Sequence, residues 1–165
     1  MSAEAVKSSM ETIIRKANNT HYFLLDEAVA EAAVGQFGKR VVCRLNDAHD
    51  LHCAIMRSKS EGWYIMVGAA VCKKLGLKEG SKIRFELRAD ESEHQFKVPP
   101  VFQEILDSDP DFAEAFSQLS EGRRRGLMAL IARTKSEQLQ IDKTLALAEL
   151  VKSGVTDPRK LAKTI

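Results

Sequence analysis

From Tyr22 to Val98 the apolar residues alternate with polar ones or form short runs; beyond Pro99-Pro100 they recur every three to four positions. Period two is the mark of a half-buried strand and period 3.6 that of a helix. The alternation is cleanest in KIRFELR, where Ile83, Phe85 and Leu87 face one way and Lys82, Arg84, Glu86 and Arg88 the other. RVVCRL at 40–45 reads as a similar strand, and HYFLL and WYIMV read as short apolar strands. EAVAEAAV and AAVCKKLG between them predict helices of two turns. LHCAIM and HQFKV are read as the closing strands, with Asn46-Asp47 and Ala89-Asp90 at the connecting turns.

These pieces come in two sets. His21 to Asp47 aligns without a gap on Trp63 to Ala89, an offset of 42 positions that superposes Tyr22 on Tyr64, Gly38 on Gly80, Val41 on Ile83 and Leu45 on Leu87. Two units are too few for a solenoid, so the repeat implies one compact body with approximate two-fold symmetry. The expected fold is α+β. A small double-split β-barrel occupies residues 20–98, built from strand-helix-strand-strand units at 21–56 and 63–98. A helix or arm over residues 1–19 precedes it, with Val6, Met10, Ile13 and Ile14 at helical spacing over 3–17. A small helical bundle over 99–165 follows it. There Pro110 and Pro158 suit first helical turns, Ser120 and Ser136 suit N-caps, and Gly154 suits a stop.

Composition narrows the function classes. The net charge is +2, and basic and acidic side chains balance as 3 to 2 over residues 1–20, 12 to 11 over 21–98 and 10 to 10 over 99–165. No segment carries the positive excess of a dedicated nucleic-acid module. No apolar run reaches the length of a membrane span, and no signal-peptide core is present. Cys43, Cys53 and Cys72 lack metal or redox spacing, which fits reduced thiols in a cytosolic protein. No nucleotide-binding, hydrolase-elbow or zinc-protease motif occurs. We therefore assign no catalytic residue, no metal ligand and no cofactor at this level.

VCKKLGLKEGSKIRFEL is similar to the signature of AbrB/MazE-type swapped-hairpin proteins: a strand, a short helix ending in "LGL", then a glycine turn into a strand. That resemblance implies a double-split barrel, with both halves in one chain. RVVCRLN, HCAIM, the stretch just quoted, and VPPVFQEILDSDPDFAEAFSQLSEGRRRGLMALIARTKS together resemble a bacterial family. It pairs such a barrel with a helical domain called bacteriocin-protection, OmpD-associated (YdeI-like). The resemblance implies a link to stress or bacteriocin tolerance and no defined reaction. That family commonly carries arginines after its central helix. Here Lys135 is retained, but Leu139 and Gln140 lie where arginines are usual.

Several residue sets could carry chemistry. Arg123, Arg124 and Arg125 follow the Ser120 cap, and Arg123 and Arg124 with Lys135 are candidates for an anion or ligand site. Cations in a first turn oppose the helix dipole, whereas a solvated turn is the plain alternative. His49, His52 and His94 lack the supporting ligands of a metal site. Asp107, Asp109 and Asp111 alternate as in a calcium loop but miss its glycine and distal glutamate, so helix-start chemistry explains them better. By analogy with AbrB-like regulators, Arg40, Arg44, Lys82, Arg84 and Arg88 are the nucleic-acid candidates. Three readings follow: a non-catalytic cytosolic binding protein with a protein partner or as a homo-oligomer; a DNA-binding regulator; and a small-ligand enzyme or sensor using a barrel–helix cleft near Arg123, Lys135 and Trp63.

Overall fold

A computed structural model of the chain describes residues 9–165. The chain divides into two compact units, one ending at Gln95 and the other beginning at Phe96.

The first unit runs β1 (Met10–Ile13), β2 (Arg15–Ala17), β3 (Thr20–Leu24), α1 (Glu27–Phe37), β4 (Arg40–Leu45), β5 (His49–Ala54), β6 (Met56–Ser58), β7 (Gly62–Val67), α2 (Ala69–Leu75) and β8 (Lys82–Ala89). The fold is α+β, as the alternating pattern requires. The strands form two four-stranded sheets rather than one closed ring. The first sheet has the order β1-β8-β4-β5 and the second β2-β3-β7-β6. Every pairing is antiparallel.

A single residue separates β1 from β2 and β5 from β6, so each of these segments passes from the first sheet into the second. Ile14 and Ile55 occupy the two steps, both buried. The Ile14 N–H donates to the Ser81 carbonyl and the Ile55 N–H to the Lys39 carbonyl, each at 2.8 Å. Between the sheets lies one core, with Phe23, Val41, Cys43, Leu45, Ile65, Ile83 and Leu87 at 2% exposure or less.

Two expectations need correction. The helix expected over residues 3–17 is absent from 10–17, where β1 and β2 run instead; residues 3–8 lie outside the described residues. Thr12, Ile13 and Ile14 are β-branched and suit a pleated surface. Met10 and Thr12 turn partly inward while Glu11 and Ile13 stay exposed, and β1 takes the open edge of β8 with Thr12 opposite Ile83. The second correction follows from the first. HQFKV forms no strand, because β8 is already flanked by β4 and β1 and offers no free edge. Each half of the unit therefore begins with its bent strand: β1-β2-β3-α1-β4, then β5-β6-β7-α2-β8. The two halves thus begin one bent strand earlier than units at 21–56 and 63–98 would.

The registers relate the two halves. In the second sheet Phe23 pairs with Ile65, and in the first Arg44 pairs with Glu86. Both pairs join residues 42 apart, so each central strand lies antiparallel to the strand it matches in sequence. Gly38 and Gly80 precede β4 and β8 with φ of 81° and 88°, a conformation that costs glycine little. Gly76 ends α2 in the left-handed region while the Leu77 N–H reaches back to the Cys72 carbonyl at 2.8 Å. The "LGL" signature is thus a helix stop.

The second unit contains α3 (Pro100–Ser108), α4 (Pro110–Ser117), α5 (Glu121–Ala132), α6 (Glu137–Lys152) and α7 (Pro158–Thr164). Proline opens α3, α4 and α7. Side chains of Asp109, Ser120, Ser136 and Asp157 accept N–H groups at the starts of α4, α5, α6 and α7. The DSDPD aspartate pattern is therefore helix-start chemistry, at least at Asp109. Phe102, Phe112 and Phe116 meet edge to face at 5.3–6.0 Å in the core. Gly126 lies where α5 meets α7: a Cβ there would stand 2.8 Å from the Pro158 ring.

Candidate functional site

The five nucleic-acid candidates do share one surface. Val41, Cys43 and Leu45 of β4 and Ile83, Phe85 and Leu87 of β8 fill the core, so Arg40, Arg44, Lys82, Arg84 and Arg88 lie on the outer face of the first sheet. Acids are interleaved with them. Arg88 grips Asp50 with two N–H groups at 3.1 and 3.3 Å, and Arg44 adds a third at 3.1 Å. Arg84 pairs with Asp47 at 3.2 Å, and Arg40 donates to the Gln95 carbonyl at 2.8 Å. Glu86 stands opposite Arg44 and Glu11 opposite Arg84. The fork from Arg88 holds the Asp50 carboxyl below its usual range, against an opposing effect of burial, and Arg44 adds to the lowering. Five cations among Glu11, Asp47, Asp50, Glu86 and Asp90 make a knitted, near-neutral surface, not the positive stripe that phosphates require.

At one side of this face His52 Nδ1 stands 2.7 Å from Asp90 Oδ2, and the Asp90 side chain is fully buried. Asp90 also accepts from the Ser92 N–H and hydroxyl. Burial pushes the Asp90 carboxyl up, but the hydrogen bonds from Ser92 and His52 outweigh it and leave it below the ordinary value. A carboxylate that orients a histidine suits a metal site or a general base. Among the described residues, however, no group of three or more His, Cys, Asp or Glu side chains is placed to hold a metal. His94 neighbours Glu93 at 3.9 Å. The cysteines are buried. Burial raises all three thiols, Cys53 to about 12, which suits core packing and not nucleophilic chemistry.

The arginines of α5 are not brought together. Arg123 donates to Thr156 Oγ1 at 2.7 Å, while Arg124 donates to the Leu119 and Ser117 carbonyls at 3.0 and 2.7 Å. Arg125 pairs with Glu121 one turn back at 3.8 Å. Arg124 thus satisfies carbonyls that the end of α4 leaves open. Lys135 is exposed between α5 and α6. Trp63, in the first unit, packs beside the core with Arg57 above its ring at 5.2 Å.

The strongest candidate site is one the residue patterns did not single out. Tyr22, Leu24, Tyr64 and Met66 project from the outer face of the second sheet, around the Phe23–Ile65 pair. The register sets Tyr22 beside Met66 and Leu24 beside Tyr64. The two tyrosine rings meet edge to face at 5.9 Å and 75°, with Tyr22 largely buried. They line a shallow pocket of about 350 Å³ with Met66, Ala17, Asn18, Thr20, Ser58, Ser60 and Glu61. Among the described residues Glu61 is its one charged lining residue. Its carboxylate accepts the Tyr22 hydroxyl at 2.9 Å, and this bond holds the Tyr22 phenol above its usual value. The hydrogen bond from Tyr22 fixes Glu61 over the pocket.

Comparisons with known proteins follow the division of the chain. Residues 11–87 match a family model described as a domain of unknown function (DUF1905). Residues 95–154 match the model for "Bacteriocin-protection, YdeI or OmpD-Associated" proteins. The helical unit is similar to that family. The order of the two matches is the order of the two units. No curated protein and no solved structure matches the chain. No helix among the described residues is long and apolar enough to cross a membrane.

Proposed function

We propose that this chain is a non-catalytic, cytoplasmic binding protein that takes a small ligand on the tyrosine face of its β unit. The pocket formed by Tyr22, Tyr64, Met66 and Glu61 is the observation that carries the reading. Apolar walls with a few convergent polar groups are what a ligand site needs. The β unit acts as a double-split barrel of the AbrB-like kind, fused from two related halves. Support comes from the bent segments at Ile14 and Ile55 and from the two central pairs of residues 42 apart. Similarity of the helical unit to the bacteriocin-protection family is what favours a role in protection against bacteriocins.

The test is a metabolite screen by thermal shift on the full chain, repeated on Tyr64→Ala. A ligand that stabilises the parent and not the variant supports the reading. Turnover of a ligand, or binding untouched by Tyr64→Ala, overturns it. The DNA-regulator reading is disfavoured by the interleaved acids of the first sheet, and a low-salt gel shift with random duplex DNA should show no complex.

A further inference from the structure

The tyrosine pocket is assembled from both halves of the β unit, and its charge comes from only one. Tyr22 and Tyr64 are 42 residues apart, as are Leu24 and Met66, and Asn18 and Ser60. Of these matched positions Tyr22, Tyr64, Asn18, Ser60 and Met66 line the pocket, around the Phe23–Ile65 pair. Glu61 breaks the match, because the residue 42 positions earlier is the neutral Asn19. Lys59 in the same turn likewise replaces Ala17, but it is exposed and does not line the pocket, so the lining itself acquires one anionic side. The neighbouring cations do not cancel it. Lys16 and Arg57 pair with His21 and Trp63, which alternate with the tyrosines and so turn to the opposite face of the sheet. Arg15 shares the tyrosine face but stands 4.0 Å from Glu61, with both side chains well exposed (48% and 39%). A contact of that kind is weak in water.

We propose that the pocket binds a small organic cation, an alkyl-substituted ammonium. This rests on the reading of the pocket as a ligand site and names the chemistry it would take. The Tyr64 ring, more open than the largely buried Tyr22 that meets it at 75°, offers an electron-rich wall to a diffuse positive charge. Met66 adds a polarisable contact. Glu61 supplies the counter-charge, held in place by Tyr22. Asn18, Thr20, Ser58 and Ser60 offer hydrogen bonds to a hydroxyl or carbonyl on the ligand's tail.

The experiment is calorimetric titration of the full chain with choline and with its uncharged isostere, in which a tert-butyl group replaces the trimethylammonium. Tyrosine and Met66 methyl NMR signals are followed in parallel. Choline is expected to shift the Tyr22, Tyr64 and Met66 signals, and the isostere to bind at least about five-fold more weakly. Glu61→Gln keeps an acceptor for the Tyr22 hydroxyl while removing the charge, and should weaken choline about ten-fold. Equal binding of choline and isostere, or full affinity in Glu61→Gln, overturns the cationic class while sparing the pocket as a ligand site. Absence of any shift at these residues with choline also overturns it. If the metabolite screen is blank as well, the reading of the pocket falls with it.

Discussion

The two sheets of the β unit share a core and differ on their outer faces. Inside, each central pair of strands contributes the same kind of residue: Phe23 and Ile65 from one sheet, Val41, Leu45, Ile83 and Phe85 from the other. Outside, the first sheet carries arginines locked to Asp47 and Asp50, while the second carries two tyrosines, two exposed methionines and one acid. The inner faces must satisfy one packing problem, so they stay alike. The outer faces are free of it, and their divergence is where function has room to settle. A saturated charge network has its partners already. The carboxylate on the tyrosine face is held by one hydroxyl and meets one cation only at 4.0 Å.

Breaking the shared core should have the largest effect and strike both faces together. Phe23 is fully buried and packs 4.9 Å from Phe85 of the opposite sheet. Phe23→Ala removes a large side chain and leaves a cavity, at a cost of roughly 3–5 kcal/mol. Urea denaturation followed by Trp63 fluorescence should show that loss, together with disappearance of the Tyr22 and Tyr64 shifts caused by choline. A loss below about 1 kcal/mol would mean that the two sheets do not depend on one core.

Much of this architecture was legible in the residues, and the gaps have physical causes. Alternation in KIRFELR and the glycines before RVVCRL and KIRFEL placed β4 and β8 because local pattern and turn chemistry agree there. Helix caps at Ser120 and Ser136 were equally plain. Residues 10–17 were not, since METIIRKA offers apolar spacing compatible with either period. The open edge of β8 decides the matter, and that edge is a tertiary fact. The site was half legible. Tyr22 and Tyr64 fall on each other in the sequence offset, which marked them as matched but not as outward-facing. Glu61, in the turn between β6 and β7, carried no signal of its own; only the Tyr22 hydrogen bond reveals its place.

The next effects separate the faces. Asp90→Ala strips partners from His52 and Ser92 behind the charged face, costing about 2–3 kcal/mol. Because the Asp90 carboxyl lies below its ordinary range in the folded chain, its contribution is present above the unfolded value and is lost as pH falls through the folded one. The gap in Tm between parent and Asp90→Ala should therefore be full at neutral pH and close in acid. A gap that widens in acid contradicts the assignment. Asp50→Ala should cost less, about 0.5–1 kcal/mol, since the Arg44–Asp50–Arg88 cluster is more than a third exposed and screened. High salt should erase most of that difference, and choline binding should be unaltered.

The smallest stability effect belongs to the tyrosine face, and there it is coupled to a gain. Arg15 contributes one contact to Glu61 at 4.0 Å and pairs with Tyr22 across the edge of the sheet. Arg15→Ala should change stability by less than about 0.5 kcal/mol, as expected for an exposed pair. The same change removes a cation that, among the described residues, stands on this face and competes for Glu61. Choline affinity should then rise by about two-fold, because the carboxylate loses a rival positive charge that solvent already screens. Double mutation with Glu61→Gln should abolish the gain. If Arg15→Ala weakens choline instead, Arg15 helps to build the pocket, and the face would favour a ligand that carries negative charge beside its aromatic contacts.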